Sequence, residues 1–262
     1  MWYLFDIVFY AICLLSTLTN VFLYLKKYNF FSLIFFSLST IVIAVFIALL
    51  WINLERPPLR TLAETRLWYS FFIGVIGISL YVLYRYKWIM SYAAIMMLTF
   101  LGITYFNPDT FNKSLMPALH SIWFIPHVVV YIFAYAMFGM ATLLAVFGIF
   151  KLKKKQSIDR ELEMVNKLIN IGYTFLTLGL LFGALWAKEA WGHYWTWDPK
   201  ETWAFITWIG YLLYIHIRYK YKNDTPERDF YILILAFALL LICWFGVNYL
   251  PSASNSVHTY SG

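Results

Sequence analysis

The chain alternates long apolar stretches with short polar connections from end to end. A bilayer core of about 30 Å is crossed by about 20 helical residues, and eight stretches reach that length. They lie at about 2–25, 30–52, 67–84, 88–106, 127–150, 166–187, 201–219 and 230–250. The pattern predicts an all-α integral membrane protein with about eight transmembrane helices.

The composition agrees with a protein built for lipid. Of the 262 residues, 62% are hydrophobic and only 13% are charged, whereas soluble domains carry roughly 25% charged residues. We expect a single polytopic membrane domain over residues 1–262, surrounded by the lipid bilayer. The longest polar connections are 53–66, 107–126, 151–165 and 188–200, followed by the tail 251–262.

The positive charges predict the orientation. The net charge is +7, but the basic residues form short groups beside the predicted helices, which favours a role in membrane orientation and not nucleic-acid binding. Fourteen of the 20 Lys and Arg residues fall on one set of alternate connections. By the positive-inside rule, both termini, the connection 188–200 and the tail 251–262 are then on the outer side. The fourteen are Lys26, Lys27, Arg85, Lys87, Lys151, Lys153, Lys154, Lys155, Arg160, Lys167, Arg218, Lys220, Lys222 and Arg228.

The two cysteines limit the redox chemistry. Cys13 and Cys243 both lie inside apolar stretches, and the sequence has no Cys-x-x-Cys pair. This excludes a dithiol oxidoreductase and a protein with its own covalently attached haem c. We expect both thiols to be buried and to act as small hydrophobic groups.

Five histidines are present, none of them before position 120: His120, His127, His193, His216 and His258. The predicted topology places all of them near the outer side except His216. His216 lies about 15 residues into the seventh predicted helix, roughly 22 Å deep at 1.5 Å per residue, in the inner half of the membrane. Because an ionisable residue inside a membrane helix is costly, His216 is a candidate functional residue.

The histidines raise the question of a metal. Neutral imidazole binds haem iron, zinc, copper and nickel, but the closely spaced cysteines or carboxylates typical of zinc sites are absent. Histidines from distant segments suit a planar macrocycle, which has two axial positions on opposite faces. The residues alone leave simpler interpretations open: an interfacial imidazole at His127, His216 extending to the interface beside Arg218, and a solvated His258.

Residues 191–203, WGHYWTWDPKETW, concentrate aromatic rings in one predicted outer connection. An interfacial belt and a platform for a flat ligand both explain them. Asp198-Pro199-Lys200-Glu201 predicts a helix start, with Asp as the cap, Pro at the first position and Glu three residues after the cap. Trp191 and Trp195 are four residues apart, so on a helical turn they would share one face.

The same stretch carries a family resemblance. WGHYWTWD fits the pattern W-G-x-x-W-x-W-D and, with the following PKE, resembles the tryptophan-rich signature of haem-handling membrane proteins of cytochrome c biogenesis. Within that superfamily the chain is similar to the CcsA (ResC) family of the system II cytochrome c synthase. SIWFIPHVVVYIFAYAMF resembles the segment with an external haem-ligand histidine, here His127. YLLYIHIRYK resembles the segment with a transmembrane histidine, here His216. FGVNYLPSASNSVHTY resembles the closing segment, here with His258 and with VHTY where LHSY is typical. The similarity covers roughly residues 70–262.

The resemblance implies an activity and a set of site residues. It implies transport of haem b across the membrane and presentation of reduced haem for covalent thioether attachment to the CxxCH motif of apocytochrome c, a synthase of the haem lyase type. His127 and His258 would bind the iron externally and His216 within the membrane, with Asp198 favoured as a helix cap over a haem contact. The remaining residues implied for haem binding are Trp191, Gly192, Trp195 and Trp197.

The resemblance also implies partners. With no histidine in its first 119 residues, this chain lacks the second transmembrane histidine that the family's synthase takes from a CcsB/ResB-like subunit, so we expect a separate partner of that kind. Apocytochrome c and a thiol-reducing thioredoxin-like protein are the other expected partners, in a bacterial or plastid-type cytoplasmic membrane. Three alternatives remain: a haem exporter, a loader of a haem chaperone, and a b-type electron-transfer subunit. The additional His120 and His193 leave an exchange of ligands open.

Overall fold

The chain is helical throughout the part that the structure, a computed structural model, describes: residues 1–25, 29–111, 121–221 and 225–251. These residues form eight long α-helices, short 3-10 turns and no β-strand, which confirms the all-α prediction. Each predicted apolar stretch coincides with one helix. The helices are α1 (Phe5–Tyr24), α2 (Asn29–Leu54), α3 (Leu62–Tyr84), α4 (Lys87–Tyr105), α5 (Phe124–Lys153), α6 (Asp159–Trp191), α7 (Pro199–Tyr221) and α8 (Pro226–Trp244).

Six of these helices, α1 to α6, are long and apolar enough to cross a membrane. This is the architecture of an integral membrane protein. The helices α7 and α8 carry charges at their ends, with Arg218 and Lys220 in the last turn of α7 and Glu227 and Asp229 in the first turn of α8. Eight crossings, the outer position of both termini and the single membrane domain stay predictions.

The first compact unit spans Met1–Leu119. Its four helices form a closed ring in which α1 packs against α2 and α4, and α3 packs against the same two helices. The core between them is apolar and includes the fully buried rings of Phe5 and Phe36 and the side chains of Ile43 and Leu67. Such a ring lets every helix bury one face and leave the other for lipid.

The start of α3 holds a buried carboxylate. Glu64 Oε2 accepts a hydrogen bond from Thr61 N at 3.2 Å, while Thr61 Oγ1 accepts one from Glu64 N at 3.1 Å, which completes a capping box. Arg56 donates two further hydrogen bonds to the same carboxylate, at 2.9 and 3.0 Å. Because Arg56 compensates the Glu64 charge, α3 begins at Leu62 and not at the predicted residue 67, where the apolar stretch starts.

Removing this carboxylate is expected to destabilise the protein strongly. In a Glu64→Ala variant the Arg56 guanidinium loses its buried partner and α3 loses its cap, at a cost of about 3–5 kcal/mol in the free energy of unfolding. Glu163→Ala, which removes the exposed 2.7 Å pair of Glu163 with Lys167, provides the control and should cost less than about 1 kcal/mol. Thermal unfolding in detergent micelles measures both, and equal losses would contradict the assignment.

The second unit spans His120–Gly262 and has the same ring arrangement: α5 packs against α6 and α8, and α7 packs against the same two. The contact between α5 and α6 is the most extensive within this unit. The predicted polar connection 151–165 is mostly helical, since α5 ends at Lys153 and α6 begins at Asp159. Lys151 Nζ pairs with the fully buried carboxylate of Glu161 at 3.0 Å. This ion pair compensates the charge of Glu161, so that charged residues can be part of the last turn of α5 and the first turn of α6.

Candidate functional site

His127 lies in the first turn of α5 and is anchored to the neighbouring helix. Its Nδ1 is 2.8 Å from the carbonyl oxygen of Gly179 in α6. A carbonyl oxygen only accepts hydrogen bonds, so Nδ1 carries a proton, and in the neutral imidazole Nε2 then holds the lone pair. Histidines that bind metals almost always donate their other N–H to a carboxylate or a backbone carbonyl in this way. The side chain therefore has the hydrogen bonding of a metal-ligating imidazole.

Aromatic rings surround this imidazole. Its centroid is 4.6 Å from that of Tyr131, edge to face, and 5.4 Å from that of Trp186. Trp186 in turn contacts Phe124 at 5.2 Å and Trp191 at 5.0 Å. We call these five side chains the His127 cluster. Because Trp191 is its last member, the cluster extends from α5 to the first residue of the tryptophan-rich stretch.

Helix α6 ends at Trp191. Gly192 follows in the left-handed conformation, with φ of 85°, and its N–H donates to Lys188 O at 3.0 Å. This conformation favours glycine, which has no Cβ. Trp195 therefore lies in the loop beyond the helix, and the expectation that Trp191 and Trp195 share one face of a helical turn is wrong.

The loop residues 192–198 hold a second aromatic group. Trp195 and Trp197 meet edge to face at 5.7 Å, and Trp197 contacts Phe205 of α7 at 5.7 Å. Trp197 is 62% exposed and has a φ of 59°, which is uncommon for a bulky residue and strains the backbone. The indole Nε1 of Trp195 is buried and has no hydrogen-bond partner among the described residues. An exposed ring held by an uncommon backbone conformation, beside a buried donor that has no partner among the described residues, suits a ligand platform.

The start of α7 fixes this loop. Asp198 Oδ1 accepts a hydrogen bond from Lys200 N at 2.9 Å, and Glu201 Oε2 accepts from Asp198 N at 3.2 Å. These bonds confirm the helix start predicted at Asp198–Glu201. Glu201 also accepts from Thr196 N at 2.8 Å, so its carboxylate holds the backbone on both sides of Trp197. Burial lowers the pKa of the Lys200 ammonium, whereas the Asp198 carboxylate acts to raise it.

Loss of the Glu201 carboxylate should loosen the tryptophan loop. In a Glu201→Ala variant the amides of Thr196 and Asp198 lose a charged acceptor worth about 1.5–3 kcal/mol. We expect their hydrogen exchange to accelerate by about tenfold or more, as measured by mass spectrometry. Glu227→Ala is the matched control, because Glu227 occupies the first turn of α8 behind Pro226. Unchanged exchange in Glu201→Ala would argue against this role.

The other predicted histidines are distributed along the unit. His216 is exposed on α7, and its Nδ1 is 2.9 Å from Leu212 O of the same helix. As for His127, Nδ1 is the donor, because a carbonyl oxygen only accepts. His193 is exposed in the loop. His120 and His258 lie outside the described residues, so the second external ligand stays a prediction.

Five residues around His127 were not predicted from the sequence: Phe124, Tyr131, Gly179, Gly183 and Trp186. Gly183 matters because a Cβ at this position would lie 2.8 Å from Nδ1 and Cε1 of His127. Their spacing carries a signal, since Tyr131 follows His127 by one helical turn and the two glycines of α6 are also one turn apart. Nothing in one helix, however, indicates which residues of the other helix it meets.

Comparison with known proteins identifies relatives over most of the chain. The sequence model of the family described as cytochrome C assembly protein matches residues 61–253. A cytochrome c biogenesis protein CcsA from Prochlorococcus marinus subsp. pastoris is 32% identical over an alignment length of 287 residues. The alignment covers 93% of this chain and 88% of the relative. CcsA from Guillardia theta is 31% identical over 85% of this chain and 83% of its own length. CcsA from Cuscuta reflexa is 34% identical over 76% of this chain and 75% of its own length.

Proposed function

We propose that this chain, which belongs to the cytochrome c assembly protein family, carries haem b across a cytoplasmic-type membrane. It then presents the haem for covalent attachment to apocytochrome c. The observation that carries the proposal is the His127 imidazole, whose Nδ1 pairs with Gly179 O at 2.8 Å within an aromatic cluster. This arrangement leaves Nε2 as the nitrogen that binds iron.

The outer site combines the loop with two imidazoles. The rings of Trp191, Trp195 and Trp197 provide apolar contact surface for the porphyrin, and His127 and His258 bind the iron from its two faces. Gly192 ends α6, so that Trp195 and Trp197 lie in a separate loop. Asp198 acts by capping α7. The ligands His127 and His258 help to keep the iron ferrous until delivery.

The inner site is centred on His216. It lies 17 positions after Pro199 at the start of α7, which is about 25 Å along the axis at 1.5 Å per residue. A bilayer core measures about 30 Å, so the loop and His216 suit opposite sides of a membrane. The positive-inside distribution of Lys and Arg favours the outer side for the loop, so haem would pass outward from His216 to the loop.

A partner completes the inner site and the reaction. His216 supplies one axial ligand, and we assign the other to a CcsB/ResB-like membrane subunit. At the outer site each thiol of the apocytochrome CxxCH motif adds across one haem vinyl group: sulfur bonds to one carbon, hydrogen to the other, and no external oxidant is needed. A thioredoxin-like protein keeps the thiols reduced. The chain's own contribution is positioning, because proximity alone accelerates such additions.

The outer ligands are tested by spectroscopy of the purified complex with its partner. In a His127→Ala/His258→Ala double variant the haem retained at the outer site should fall by more than about tenfold, because both of its iron ligands are lost. The low-spin absorption should decrease to the part contributed by the inner site. His193→Ala, in the same loop region but outside the proposed ligand pair, is the control. An unchanged spectrum in the double variant would exclude this outer site.

The synthase assignment is tested in a host that lacks its own cytochrome c assembly system. Co-expression with the partner and a reporter apocytochrome should yield covalently bound haem, detected by haem staining after denaturing electrophoresis. Haem at the outer site without thioether formation would instead identify an exporter or a chaperone loader. Haem reduction and reoxidation with no transfer to the reporter would identify an electron-transfer subunit.

Replacement of His216 should interrupt the supply of haem and leave the outer site intact. In His216→Ala the complex should contain less haem and produce several-fold less holocytochrome, because an axial ligand of the inner site is missing. Haem added from the outer side should still give the low-spin spectrum of the outer site. Full cytochrome production by His216→Ala would contradict the inner site. Tyr219→Ala is the control, because Tyr219 is an exposed neighbour on the same helix.

A further inference from the structure

One face of α6 is shaped around the imidazole of His127. Gly179, Gly183 and Trp186 follow one another at intervals of four and three residues, so they share a face of the helix. Gly179 provides the carbonyl oxygen that accepts from Nδ1 at 2.8 Å. Trp186 provides a ring whose centroid is 5.4 Å from the imidazole. Gly183 lies between these two contacts.

The absence of a side chain at Gly183 gives the imidazole its place. A Cβ there would lie 2.8 Å from both Nδ1 and Cε1 of His127, closer than non-bonded carbon and nitrogen atoms approach. The Nδ1–Cε1 edge of the ring therefore rests directly against the α6 backbone. At Gly179 a Cβ would lie 2.8 Å from Cδ1 and Cε1 of Tyr131, the residue one turn after His127.

The close approach and the hydrogen bond depend on each other. A ring displaced by a side chain at position 183 would move away from the carbonyl oxygen of Gly179. Without that acceptor, the Nδ1–H tautomer loses its advantage, and the proton is free to occupy Nε2 instead. The nitrogen available to a metal would then change or become mixed.

We propose that Gly179 and Gly183 are positioning residues for His127: together they seat the imidazole against α6 and hold its proton on Nδ1, so that Nε2 is the ligand. The proposal rests on the outer haem site proposed above. It assigns to this glycine pair a role beyond helix packing, which small residues four apart commonly serve.

Gly172 provides a matched control on the same helix. A Cβ at Gly172 would lie 2.8 Å from Cε1 of Phe138 and 3.2 Å from Cβ of Met137. Substitution of Gly172 by alanine therefore imposes a comparable steric conflict on the contact between α5 and α6, but against an apolar ring with no proton to position. A general effect of helix packing should appear in both alanine variants.

The first experiment needs no haem. Nitrogen-15 NMR of selectively labelled histidines distinguishes the two tautomers, and a His127→Gln variant assigns the signal. The unaltered chain and Gly172→Ala should show His127 protonated at Nδ1, whereas Gly183→Ala should show loss of this tautomer. Retention of the Nδ1–H form in Gly183→Ala, or its loss in both alanine variants, would overturn the proposal.

A second variant adds no volume, in case Gly183→Ala does not fold. Replacement of Leu180 by its α-hydroxy acid turns the carbonyl of Gly179 into an ester carbonyl, which is a weaker acceptor. The fraction of His127 protonated at Nδ1 should fall although Gly179 and Gly183 are unchanged and still leave room for the imidazole. An unchanged tautomer would exclude Gly179 O as the group that fixes the proton.

The haem-loaded complex supplies the functional measurement. Gly183→Ala should bind haem about 10- to 100-fold more weakly, as is typical when the hydrogen-bond partner of a metal ligand is lost. Added imidazole should restore the low-spin spectrum. Gly172→Ala should behave as the unaltered complex. If His127→Ala leaves the spectrum unchanged, the outer site itself is wrong, while the tautomer measured without haem still decides the role of the glycines. If Gly183→Ala retains haem normally while His127→Ala loses it, the positioning role of the glycines is overturned and the outer site is not.

Discussion

The close contact between α5 and α6 is the constraint on which the candidate site depends. At this contact the α6 backbone comes near enough for His127 to donate to Gly179 O at 2.8 Å. A carbonyl oxygen has two lone pairs, so one can serve the helix while the other accepts a side-chain donor. Such a donor reaches the backbone only where no side chain intervenes, as at Gly183. Ligand geometry is therefore coupled to helix packing at this point of the contact, where the α6 backbone at Gly179 and Gly183 meets the imidazole.

Features confined to a few consecutive residues were predictable from the sequence. The start of α7 is one example, because Asp198, Pro199 and Glu201 each favour one position of a helix N-terminus and all their bonding partners lie nearby. The start of α3 is the opposite case. Hydropathy predicts it at residue 67, but the charged Glu64 is part of the helix because Arg56, eight residues earlier, compensates its charge.

The site itself was predictable only in part. His127 and the loop tryptophans follow from residue type and family resemblance, yet the break at Gly192 separates Trp191 from Trp195 in a way that the helical spacing did not predict. The bond between His127 and Gly179 joins residues 52 positions apart. A single sequence contains the spacings His-x-x-x-Tyr and Gly-x-x-x-Gly, but not the register in which two helices place them together.

His127 and His216 obey one rule with different anchors. Both donate from Nδ1 to a backbone carbonyl, but His127 uses a neighbouring helix and is enclosed by rings, whereas His216 uses Leu212 of its own helix and is exposed. The first ring is held by the packing of the unit. The second keeps a fixed orientation on α7 while its exposed side faces whatever packs against that helix. This difference agrees with the proposed outer site within one chain and the proposed inner site shared with a second protein. Each imidazole supplies only one of the two axial ligands of a haem iron, and the exposed His216 is accessible to a partner that brings the other.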